Sequence, residues 1–356
     1  MKFGYFTHVW GGSGLTAGQR YETLWNEVEL ADRLGFDYAF SVEHHFSPEE
    51  SWMPSPTIFC TGAALRTERI RLGPMGYIPP LYNPIRVVEE IAALDHVTGG
   101  RLDVGLTSGL MRSFFDPYGA DFDRRRELTQ ECLELIRVAL AADGPFSFEG
   151  AAHSYHDLTL SFGPVQRPHP PLWIPTRDRN MLRYLARIGA HTSSTMIVPR
   201  SALGLVYRHY VRWWQEAGHP GKPDIGYWTL VHVADDDEEA VERAAPHVIH
   251  TLTKVLGYGR NTSEPIGGGY GRRAALSTDD ILRHAGDMNF LMEHNLVFAG
   301  SPATVADQIR RAAQEGCFNT LLGEFNFGSL DWRELSGSMR RFAEEVIPAL
   351  ADFEPY

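Results

Sequence analysis

The segment Tyr38 to Phe46, YAFSVEHHF, puts a carboxylate and two imidazoles, Glu43, His44 and His45, directly after a run with the composition of a β-strand. A histidine that titrates near neutral pH can take a proton from a reacting group or return one to it. Neighbouring side chains in extended backbone point opposite ways, so at most one imidazole is expected to face a site. One of His44 and His45 is then a candidate acid or base, and the other is expected to pack or to orient. The alternative for His44 is an ordinary loop histidine capping a backbone carbonyl. The same adjacency lacks the alternating spacing that aims two ligands one way, so no metal site is expected.

Such a corner needs a frame, and the frame is a repeating pattern. Strand-like segments at Lys2–Phe6, Tyr38–Val42, Ile70–Tyr77, Arg101–Leu106, Leu172–Pro175, His191–Met196, Asp224–Val233 and Asn319–Phe325 alternate with helical ones. The helix Tyr21–Leu34 carries Leu24, Val28, Ala31 and Leu34 on one face and is closed by Gly35. Further helices are expected at Ile58–Leu65, Ile85–Val97, Arg124–Ala142, Asn180–Ile188, Ser201–Ala217, Asp237–Val255, Thr304–Gln314 and Trp332–Leu350, with Asn83 and Pro84 as an N-cap and first-turn pair. Eight strands alternating with helices and no evident linker predict an α/β fold, one (β/α)8 TIM barrel spanning 1–356 with insertions. The histidine corner falls at a strand's C-terminal end, where such barrels place their chemistry. Two stretches break the rhythm. Phe146–Phe162 is short, polar and β-like, and the glycine-rich 257–295 is expected to be a mobile loop or lid insertion.

Composition narrows the function. Against 33 Lys and Arg stand 45 Asp and Glu, a formal charge of −12 with both signs interspersed, which argues against nucleic acid and anionic membrane surfaces as partners. No apolar run approaches a membrane span and the start has no secretory pattern, so the cytoplasm is expected. Cys60, Cys132 and Cys317 are far apart and odd in number, as for reduced packing thiols. The 12% aromatic content supplies large side chains for a pocket.

The chain resembles the bacterial luciferase-like flavin-dependent monooxygenases, in the branch nearer the alkanal monooxygenase subunits. The resemblance rests on KFGYF at the start, EHHF at Glu43–Phe46, LGPMGYIPP followed by NPIR at Leu72–Arg86, and LDHVTGGRLDVGLTSGL at Leu94–Leu110. GSPATVADQI at Gly300–Ile309 and SMRRFAEEVIPAL at Ser338–Leu350 complete it. It implies a barrel of the bacterial-luciferase type, commonly dimeric, with an open flavin site at the strand C-termini. Reduced FMN would come from a separate NAD(P)H:flavin reductase and react with O2 to a C4a-peroxy adduct that oxygenates a small organic substrate.

The resemblance also carries residues. His44 matches the family's catalytic histidine. Met75 and Gly76 fall where the family brings backbone against the isoalloxazine ring, although a methionine there is equally a core residue. Gly105 and Gly109 would permit close backbone approach, and Arg101 is expected to be structural. The phosphate end departs from the pattern: the phosphate-gripping arginine falls at Ser108, and the later Glu-Ser segment at Arg177 and Asp178 within PTRDRN, which spans Thr176 and Asn180. Asp178 is expected to cap the helix beginning near Asn180, and Arg177 or Arg179 to replace the lost charge, unless both are surface. Trp10, Trp52, Met53, Met111, Phe114, Phe115, Met196 and Trp228 are expected to line a pocket for a hydrophobic substrate.

Several functions follow. The first is a two-component monooxygenase, with hydroxylation and Baeyer–Villiger insertion both open. The second is an oxidoreductase transferring hydride with the deazaflavin F420. The third is a non-catalytic flavin-binding partner subunit. A metal-dependent hydrolase ranks last.

Overall fold

The computed structural model describes residues 1–11, 14–195, 198, 203–259, 281 and 283–356. Its strands are β1 Lys2–Thr7, β2 Tyr38–Ser41, β3 Arg71–Pro74, β4 Val104–Gly105, β5 Phe146–Glu149, β6 Ser154–Leu158, β7 Leu172–Pro175, β8 His191–Ser193, β9 Ile225–Val233, β10 Val297–Gly300 and β11 Thr320–Glu324. The main sheet runs β3-β2-β1-β11-β9-β8-β7-β4, with β10 paired to β9. Its pairings are parallel, and bridges Leu72–Leu102 and Tyr77–Leu106 join the β3 and β4 segments, closing the ring. β5 and β6 form a separate antiparallel hairpin, the excursion expected at 146–162.

The principal helices are α1 Ala17–Leu34, α2 Pro56–Ala64, α3 Pro84–Val97, α4 Arg112–Phe115, α5 Arg125–Ala141, α6 Arg179–Ile188, α7 Gly204–Glu216, α8 Asp237–Gly259, α9 Met288–Glu293, α10 Pro302–Gly316 and α11 Trp332–Arg341. Their limits follow local chemistry. Thr16 and Gln19 form a capping box at the start of α1, and Gly35 ends it in the left-handed conformation at φ 85°. Asn83 accepts from the Ile85 N–H and Pro84 occupies the first turn of α3.

The sheet corrects the expected strand count. β10 was not expected, because VFAG is a four-residue apolar run with no alternation, following the glycine-rich stretch. It fits because β9 is nine residues long: Leu230 pairs with Glu324 on one side and Val297 on the other. Two helices also reach into the expected insertion, α8 to Gly259 and α9 over Met288–Glu293, while 260–280 and 282 lie outside the described residues. α2 begins at Pro56, before the expected Ile58, since proline is compatible with a first turn. The closing helix changes to a π turn at Phe342–Val346.

Inside the ring, Phe6, Tyr38, Phe40, Val42, Met75, Trp173 and Leu322 pack together with Trp228. They come from strands on opposite sides of the barrel, so this cluster fills its lumen. Closure between β3 and β4 requires glycine. A Cβ on Gly76 would lie 2.3 Å from the Gly105 carbonyl, and one on Gly105 would lie 2.2 Å from the Pro74 oxygen.

The strand N-terminal end is tied by charge. Asp32, near the end of α1, accepts from the backbone N–H groups of Glu68, Arg69 and Ile70 at 3.0, 3.1 and 2.7 Å, fixing the entry to β3. Arg101 donates to the carbonyls of Thr98 and Ile70 and to Thr67, a structural clamp. Burial pushes the Asp32 carboxyl up, but the three N–H donors outweigh it and its pKa lies below the ordinary 3.8. A depressed native pKa stabilises the fold above the unfolded value, and that stabilisation is lost as pH falls through the native value. Asp32→Asn should cost about 1–3 kcal/mol at neutral pH in urea unfolding, and the gap from wild type should shrink on acidification below 3.8.

Candidate active site

β2 delivers the chain to the site and Glu43 anchors it there. Its buried carboxylate accepts from the Ile78 N–H at 2.9 Å and the Tyr82 hydroxyl at 2.7 Å, and meets His45 Nε2 at 2.9 Å. Three donors on one carboxylate offset its desolvation and hold the end of β2 to the turn after β3. With its Nε2 proton given to Glu43, His45 accepts at Nδ1 from the Tyr118 hydroxyl, 3.2 Å away. His45 is 5% exposed, with both ring nitrogens engaged, by Glu43 and by Tyr118.

His44 points the other way. Its backbone N–H donates to the Met53 carbonyl at 3.0 Å, its ring centre lies 5.3 Å from those of Phe114 and His8, and its Nδ1 is 2.8 Å from Glu50 Oε1. Glu50 comes from a turn in which the N–H groups of Glu50 and Ser51 donate to the Ser47 carbonyl. That turn is sewn to the exit of β1: Ser51 Oγ donates to the His8 carbonyl at 2.6 Å and Trp52 N–H to the Val9 carbonyl at 3.0 Å. Val9 stands at φ 56°, a strained conformation for a β-branched residue, held by these bonds and by Thr7 Oγ1 on its own N–H. Burial raises the Glu50 carboxyl, yet the facing His44 and His8 outweigh it and hold the pKa below the usual range.

His8 completes the group. Its Nδ1 lies 3.0 Å from both oxygens of Glu324, which also accepts from the His8 N–H at 2.9 Å and Trp10 Nε1 at 2.7 Å. The carboxylate keeps a proton on Nδ1, so Nε2 is the free face of the ring. Trp228 lies over His8 with ring centres 4.7 Å apart and stacks on Phe6 at 4.3 Å. Ligand-capable atoms of His8, His44 and Glu50 fall within 4.8 Å of one another.

A flavin ring would lie over the lumen cluster. Met75, 8% exposed, caps that cluster, its N–H donating to the Ser41 carbonyl at 2.7 Å, and the Met75–Gly76 peptide is cis. Ser193 Oγ and Trp228 Nε1 are buried at the same end without partners. Two unspent polar atoms beside an apolar floor suit a planar heteroaromatic ring with polar edges, and the residues present therefore fit a flavin.

At the expected phosphate end, Thr176 follows β7 and its Oγ1 accepts from the Asp178 N–H at 3.1 Å. Asp178 caps α6, accepting from the Met181 N–H at 2.8 Å, so its carboxylate is turned onto the helix. Asn180 is exposed in the first turn. Arg177 is half-buried beside Tyr207, and burial lowers its pKa. Arg179 lies over the Trp213 ring at 5.6 Å, directed onto α7. Ser108 is half-buried in the loop after β4.

The expected lining is only partly assembled. Trp10, Trp228 and Phe114 border the histidines, and Met111 packs with Phe114 and Ile78. Met53 and Phe115 are both 0% exposed and packed in apolar clusters, Phe115 edge-on to Phe122. Trp52 instead braces the loop bearing Glu50, its Nε1 donating to the Pro48 carbonyl. Met196 lies outside the described residues. Sequence reasoning missed His8, Glu50 and Glu324 as site residues. Polar residues closing the apolar strands β1 and β11 were the available signal for His8 and Glu324; Glu50 had none.

Replacing Glu43 by Gln should cost about 3 kcal/mol in chemical unfolding, since it removes charge from three buried donors at once. Tyr82→Phe, which removes one donor, should cost about 1 kcal/mol. Equal losses would show that the carboxylate is not the node.

The luciferase-like monooxygenase family model matches residues 1–319. The oxygenase component of the flavin-dependent trigonelline monooxygenase of Acinetobacter baylyi is 23% identical, covering 99% of this chain and 96% of that one. The monooxygenase RslO1 of Streptomyces bottropensis superposes with a TM-score of 0.82 at 26% identity, covering 98% of this chain and 99% of that one. The oxygenating constituent of 3,6-diketocamphane monooxygenase from Pseudomonas putida, a type II Baeyer–Villiger enzyme in complex with FMN, superposes with a TM-score of 0.80 at 22% identity, covering 98% of each. The chain spans about half the length of two curated relatives that it matches at 36% and 33% identity, covering 56% and 47% of them. With a model match over most of its length, the chain belongs to the luciferase-like monooxygenase family.

Proposed function

We propose that this protein is the oxygenase of a two-component flavin-dependent monooxygenase, using reduced FMN from a separate NAD(P)H:flavin reductase and O2 to oxygenate a hydrophobic organic substrate. The observation that carries this reading is His44, the half-buried imidazole of the corner, beside a lumen cluster that includes Met75 and Trp228 and the unspent Ser193 hydroxyl. Bound reduced FMN would supply the oxygen-activating chemistry, by way of a C4a-peroxy adduct. The chain's own residues orient and exclude: Met75 and Gly76 support the ring, Arg177 with Ser108, Thr176, Asn180 and the capped start of α6 receives the phosphate, and Trp10, Met111, Phe114 and Trp228 keep water from the reacting face. His44 holds or passes the proton at an imidazole nitrogen, with Glu50 as its counter-charge.

No helix among the described residues is long and apolar enough to cross a membrane, in keeping with a cytoplasmic enzyme. An apolar patch of Ile58 and Leu65, 54% and 78% exposed, beside Trp25, supports a homodimer.

Anaerobic titration with reduced FMN, followed by an oxygen pulse watched by absorbance, tests the proposal. The expected result is tight binding and a long-lived oxygenated flavin signal whose decay changes at least tenfold in His44→Ala, about 1.4 kcal/mol or more. Arg177→Met should weaken reduced FMN binding by about 10- to 100-fold. Binding of F420 in place of FMN would redirect the reading to hydride transfer. Binding of neither would point to a partner subunit.

A further inference from the structure

We infer that His8, His44 and Glu50 form a binding site for a divalent transition metal of the zinc class at the mouth of the barrel. The inference is independent of the flavin reading. All three ligands belong to the zinc repertoire, and three protein ligands with a fourth position open to water is the arrangement of exchangeable rather than structural sites.

Each side chain offers one coordinating atom to the group. Glu50 Oε2 is buried without a hydrogen bond, and His44 Nδ1 already lies 2.8 Å from the other oxygen of the same carboxylate. His8 makes its side-chain contacts to Glu324 through Nδ1, leaving Nε2 toward the cluster. The Glu324 contact is what a ligating histidine requires behind it: a carboxylate on the far nitrogen fixes the tautomer and raises the basicity of the near one. Here that carboxylate is itself held by Trp10 Nε1 and the His8 N–H, so the ligand is preset.

The ligand atoms now lie within 4.8 Å of one another, whereas metal–ligand bonds of about 2.0–2.2 Å place tetrahedral neighbours about 3.4 Å apart. The gap closes by movement of one ring. His44 is the least enclosed member, with a side chain 21% exposed against 1% for His8 and 4% for Glu50.

Cobalt(II) titration of the purified, chelator-treated protein, read by the visible d–d absorption of the ion and by calorimetry, tests the site. Wild type should bind one ion with four-coordinate intensity and release it to zinc. His44→Ala and Glu50→Gln should each weaken binding about 100-fold or more, and Glu324→Gln, which touches no ligand position, about 10- to 100-fold. Circular dichroism checks each variant's fold, and His44→Ala changes the most exposed member. Absence of saturable cobalt binding by wild type overturns the inference. So does an affinity unchanged in folded His44→Ala, which would place the ion on another group.

Discussion

Much of the barrel mouth hangs on the buried carboxylate of Glu43. It joins the end of β2, through its own backbone, to the Ile78 N–H beyond β3 and to Tyr82 before α3, and it holds the wall histidine. A carboxylate with a single donor in this place would be costly; with three it is a fixed point. His45 is committed to that point, while its neighbour His44 meets a different carboxylate, Glu50.

A second carboxylate acts on the other side. Glu50 and Glu324 bring negative charge against His44 and His8, and all three carboxylates of the mouth are almost fully buried. The strain at Val9 fits this account, because it aims His8 and Trp10 to one side while the Glu50 turn is bonded to its carbonyl.

The barrel was legible because its strands are apolar runs between amphipathic helices, and both the cap at Asn83 and the corner at Glu43–His45 follow local rules. The parts that were not legible depend on distance in sequence. Glu50 lies in a loop rich in proline and serine and becomes a site residue only because Ser51 and Trp52 bond back to β1. His8 and Glu324 are 316 residues apart and meet because β1 and β11 are neighbours in the sheet. β10 was missed because its pairing depends on the length of β9. Proximity to a strand end does not reveal how deeply a side chain is packed, and of the expected lining Met53 and Phe115 are wholly buried.

The most direct test of this account is a crystal structure of the protein with FMN bound under reducing, anaerobic conditions. The account predicts the isoalloxazine ring against Met75 and Gly76, its reacting face open toward His44, and its phosphate within reach of Arg177. A flavin seated elsewhere, or with His44 beyond reach of the ring, would contradict it.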